Sequence, residues 1–126
     1  MLWSKYSFFA KRNVIGFFMN WIILIIAGLF ETAFAACLAM AKQTQGQERI
    51  AWYAGFLVAL IVSMLLLIKA VQTLPVGTAY AVWTGIGAVG TVLVGIFLFK
   101  ETADFWRLFF LFTLIASIVG LKAVSH

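Results

Sequence analysis

The chain has 126 residues, 65% of them hydrophobic and 10% charged, with a net charge of +5. Soluble domains carry about 25% charged residues, so a soluble fold is excluded. The nine basic residues fall at the ends of apolar stretches, where they read as membrane-interface anchors and not as a nucleic-acid surface. One cysteine excludes an intrachain disulfide.

Residues 1–18, MLWSKYSFFAKRNVIGFF, form a basic and aromatic extension that suits the membrane surface. No small-residue cleavage site follows a separate short apolar core, so the segment is not read as a signal peptide. Met19 is an alternative start. Residues 19–126 then form one four-helix transmembrane domain. Spanning a bilayer takes about 20 apolar residues, and four stretches qualify, near 20–41, 50–69, 76–98 and 104–122. They leave no room for a soluble domain.

In the first span, Glu31 is the only charge between Arg12 and Lys42. An acid near mid-bilayer costs roughly 2.5–3.5 kcal/mol on insertion scales. It is therefore a candidate proton or cation site, the bland alternative being a protonated, hydrogen-bonded packing residue. Its helical neighbours are Ala27, Gly28, Phe34 and Ala35. The small residues leave room for a ligand or a close helix, and Phe34 offers an apolar ring. Cys37 reads as a small packing residue. In the second span Ser63 suits a hydrogen bond to a ligand or carboxylate, or a back-bond to its own helix.

Pro75 suits the start of the third span. Tyr80, Trp83 and Gly87 share one face of it. Aromatic faces attract cations, and the tyrosine hydroxyl and indole N–H can orient a carboxylate; an aromatic belt or plain packing is the other reading. Gly85 to Gly90 matches the dinucleotide fingerprint letter for letter, yet that fingerprint needs a strand before it and an acid about 20 residues on. Inside an apolar span these glycines read as a closely packed, bendable point. The fourth span reads as packing surface, with Ala116 and Gly120 as candidate dimer contacts. No cofactor or metal site is expected, His126 included, because no second ligand cluster accompanies it.

Orientation follows the Lys/Arg bias of short loops. Lys5, Lys11, Arg12, Lys69 and Lys122 fall on one face, and Lys42, Arg49, Lys100 and Arg107 on the other. Such a near tie permits insertion both ways round, and hence an antiparallel, dual-topology dimer. Four helices are few for a solute pathway, and many transporters are built from two inverted repeats around a midplane site. In such a dimer two Glu31 groups share one cavity and titrate as a coupled pair.

Three stretches resemble the small multidrug resistance transporters, most closely their guanidinium exporter branch: WIILIIAGLFE at 21–31, TLPVGTAYAVWTGIGAVG at 73–90 and IVGLKA at 118–123. The resemblance covers 19–126. It implies an antiparallel homodimer in the cell inner membrane that exchanges protons for small organic cations. It also implies Glu31 as the central proton and substrate carboxylate, with Gly28, Ser63, Tyr80 and Trp83 around the site. The chain departs from the branch at Phe34, where Trp is usual, at Ala39, where Lys is usual, and in a longer first loop over Lys42 to Arg49. Phe34 lacks an indole N–H donor, which brings substituted guanidines or a heteromeric pair into view. The rival expectations are export of quaternary ammonium or hydrophobic cations, a subunit of a proton-driven rotor ring, and a structural membrane subunit. No nucleophile, base or metal constellation supports an enzyme.

Overall fold

The computed structural model describes residues 2–124, with side chains from Ile15 onward; His126 and the side chains of the extension up to residue 14 lie outside the described residues. Four helices follow one another: α1 (Leu2–Gln43), α2 (Gln47–Ala70), α3 (Val76–Leu98) and α4 (Phe105–Val124). At 1.5 Å per residue, 20 to 24 residues span about 30–36 Å, which matches a hydrocarbon core of about 30 Å. All four helices carry a segment long and apolar enough to cross a membrane, the first over Ile15–Gln43. No strand occurs among the described residues. The chain is an all-α membrane protein.

α1 and α2 are longer than their hydropathy requires. α1 runs from Leu2 to Gln43, so no break in the helix separates residues 2–18 from the first span; nothing in that stretch is a proline. At its other end only residues 44–46 connect α1 to α2, where a loop over 42–49 was expected. Gly46, at φ 69°, takes a left-handed turn open to glycine at little cost. Arg49 Nε closes the turn by donating to the carbonyls of Ala41 and Thr44 at 3.0 and 2.9 Å. Pro75, with φ −59°, opens α3 as expected, and the glycines at 85, 87 and 90 lie inside that helix.

α1 packs along both α2 and α3, α3 carries α4, and α2 barely touches α3. The core gathers at the end of the bundle that holds the α2–α3 connection, around Trp21, Leu24, Leu67, Leu74, Val82 and Trp83. A hydrogen bond of 2.6 Å from Asn20 Nδ2 to Thr73 Oγ1 fixes α1 against that connection. α4 buries none of its residues. Ala116 and Gly120 are exposed on it, with open space beyond Gly120.

Candidate functional site

Glu31 sits where α1 crosses α3. The crossing is close because glycine stands on both helices. A Cβ on Gly28 would strike the Ile86 side chain, one on Gly87 would strike the Glu31 carboxyl, and one on Gly90 would strike Thr32. Gly28 is thus buried in the helix contact, and Gly87 forms the wall against which the acid lies. The Glu31 Oε2 atom is buried and has no hydrogen-bond partner. Such orphaned acceptors are rare in folded proteins. The rest of the residue is only partly buried, so a single chain closes one side of it.

A relay of buried hydrogen bonds lies one turn away. Trp83 Nε1 donates to Ser63 Oγ at 2.9 Å, and Ser63 Oγ donates to the Ala27 carbonyl at 2.7 Å. Ser63 is fully buried and Trp83 is 6% exposed. The three helices are therefore tied together immediately below the acid, α3 through α2 to α1. The Ser63 hydroxyl neither back-bonds its own helix nor reaches the carboxylate; its proton is committed to Ala27. Tyr80 lies 5.4 Å from Trp83, ring to ring, and is 55% exposed. It is the aromatic group of this face that remains open. Phe34 turns to α2, where its ring meets Phe56 edge to face at 5.6 Å.

Glu31, Gly28, Ser63 and Trp83 thus form one buried-to-half-buried cluster, with Tyr80 on its open side and Phe34 against α2. Thr32 and Thr91 also belong to this cluster. Thr91 Oγ1 donates to the Gly87 carbonyl at 2.6 Å, and Thr32 Oγ1 to the Gly28 carbonyl at 3.3 Å. The available sequence signal was the hydroxyl adjacent to Glu31 and the one a turn beyond Gly87. Cys37 lies 3.4 Å from where a Gly55 Cβ would be and lines a cavity of about 500 Å³ between α1, α2 and the end of α3. Among the described residues no group of three His, Cys, Asp or Glu side chains could hold a metal.

Four spanning helices around a lone intramembrane acid define a small multi-pass membrane protein. The family model of the Small Multidrug Resistance protein matches residues 19–115, and the chain belongs to that family. It is similar to the guanidinium exporter of Escherichia coli (strain K12), 50% identical over 108 residues, 86% of this chain and all of that one. The guanidinium exporters of Salmonella typhimurium (strain LT2) and Citrobacter freundii are each 49% identical over the same span, again 86% of this chain and 100% of theirs. The protein is therefore a multi-pass inner-membrane transporter and not an enzyme.

Proposed function

We propose that the protein is a proton-coupled antiporter that exports guanidinium or substituted guanidinium cations. The observation that carries this reading is the orphaned Glu31 Oε2, held against Gly87 with no partner in its own chain. Guanidinium is planar and donates paired N–H bonds, the complement of a carboxylate edge. Two copies of this chain, packed antiparallel through faces such as the uncovered α4, bring two Glu31 groups to one midplane cavity. That cavity holds either protons or a cation. Cation entry displaces the protons, and the two fluxes run in opposite directions as the protomers exchange conformations. The Trp83–Ser63–Ala27 relay keeps the wall beside Glu31 rigid, and the exposed Tyr80 ring meets the cation.

Relatives about 50% identical over the whole of their length are guanidinium exporters, which supports the substrate class. Phe34 favours the substituted members of it. A bulky substituent needs no indole donor, and the Phe34–Phe56 pair offers it an apolar surface. Guanidinium uptake into proteoliposomes under an imposed pH gradient tests the reading. Uptake should follow the gradient and be lost in Glu31→Gln. Tetraalkylammonium ions should compete weakly; if they outcompete guanidinium, the quaternary ammonium reading replaces this one.

A further inference from the structure

The groove on the far side of α3 has a chemistry of its own. Near the α2–α3 connection it is lined by Trp21, Ile25, Val82 and Lys122 and holds about 310 Å³. It continues toward mid-membrane as a second pocket of about 260 Å³, bounded by Leu29, Leu93 and Ile115. Ile86, Ile118 and Val119 wall both parts. From Lys122 to Ile115 is seven residues of helix, roughly 10 Å of a half-bilayer about 15 Å deep.

The mouth of this apolar slot is basic. Trp21 is 3% exposed, and its Nε1–H is buried without a hydrogen-bond partner. Lys122 Nζ lies over the same indole, 5.7 Å from the ring centroid. Among the described residues the sole salt bridge is Arg107–Glu101, so Lys122 has no carboxylate. Asn20, next to Trp21, bonds Thr73 in the α2–α3 connection, which puts the mouth at the level of a membrane interface. The charge of that interface is one-sided. Among the described side chains it carries Lys69 and Lys122 and no acid, whereas Glu48, Glu101 and Asp104 all lie at the opposite end.

We propose that this groove is a binding site for an anionic phospholipid. The phosphate accepts from the Lys122 ammonium, and one acyl chain lies against Ile86, Ile118 and Val119. Positive charge at the interface attracts anionic headgroups. A second copy of the chain is the weaker occupant. Ala116 and Gly120, uncovered on α4, lie on a different stripe of that helix from Ile115, Ile118, Val119 and Lys122.

The test is native mass spectrometry of the detergent-purified protein titrated with dioleoyl phosphatidylglycerol, against dioleoyl phosphatidylcholine with the same chains. Phosphatidylglycerol should be retained preferentially. Lys122→Gln should weaken its retention by about fivefold, the worth of one lysine near an anionic surface. Lys69→Gln, on the same face but away from the groove, should leave retention unchanged. Equal retention of the two lipids would overturn the proposal. So would a Lys69→Gln effect as large as that of Lys122→Gln, which indicates diffuse charge. Disulfide crosslinking between two copies through Val119→Cys, in a Cys37→Ser background in bilayers, would place a second chain in the groove and also overturn it.

Discussion

Gly87→Ala isolates the relation between the acid and its wall. The added methyl falls on the Glu31 carboxyl group, and either the helix or the carboxyl must give way. The helix is poorly placed to move: Thr91 holds the Gly87 carbonyl at 2.6 Å, and a turn away the Gly28 backbone already lies against Ile86. The carboxyl therefore moves. Overpacking costs about 1–3 kcal/mol, and replacing a mid-helix glycine by alanine returns about 1 kcal/mol, so the fold loses roughly 0–2 kcal/mol. Function loses more. A hydrogen bond to a charged group contributes about 1.5–3 kcal/mol; losing one with guanidinium lowers apparent affinity about ten- to a hundredfold. The assay is the concentration dependence of guanidinium uptake in proteoliposomes, paired with the unfolding midpoint in detergent. Gly28→Ala is the control, since its methyl meets Ile86 instead and should cost similar stability with a smaller change in affinity. Wild-type affinity in Gly87→Ala would refute the placement of the cation at Glu31.

The hydrogen-bond relay and the loops give three further predictions. Ser63→Ala leaves the buried Trp83 N–H unpaired and should destabilise the protein by about 1–3 kcal/mol, with most of that loss absent when it is combined with Trp83→Phe in a double-mutant cycle by thermal unfolding. Lys100 sits at φ 54°, a conformation costly to a residue with a Cβ; Lys100→Gly should raise the unfolding free energy by up to about 1 kcal/mol. Arg107 pairs with Glu101 at 2.6 Å, but both side chains are substantially exposed. Arg107→Gln should therefore shift stability by less than about 1 kcal/mol, and a larger shift would mean that its bond to the Thr102 carbonyl holds the α3–α4 connection.

The spans were legible in the residues because charge is so scarce that, beyond Arg12, every Lys, Arg, Asp and Glu but Glu31 falls near a span boundary. The ends were less so. Residues 2–18 carry the polar character of a separate segment, yet they lack any helix breaker, and the helix simply continues. Glu31, Tyr80 and Trp83 could be singled out by cost and by face. Their partners could not, because helices apolar on every side offer no stripe that says which neighbour each face meets. Ser63 is the clearest case: its residue type allows a back-bond, a ligand or a carboxylate, and only the α1–α2 packing directs its proton to Ala27. Gly28 likewise reads as room for a ligand or for a close helix, and only the structure shows Ile86 of α3 against it. The groove under Lys122 is assembled from α1, α3 and α4, far apart in sequence, so neither the lysine nor Trp21 announced it.

The central claim is that one carboxyl holds either a proton or the cation. The most direct measurement is proton release from weakly buffered, detergent-purified protein on addition of guanidinium, followed with a pH indicator over a pH series. The account predicts saturable release in the wild type and none in Glu31→Gln. Guanidinium binding without proton release at any pH, or undiminished release from Glu31→Gln, would contradict it.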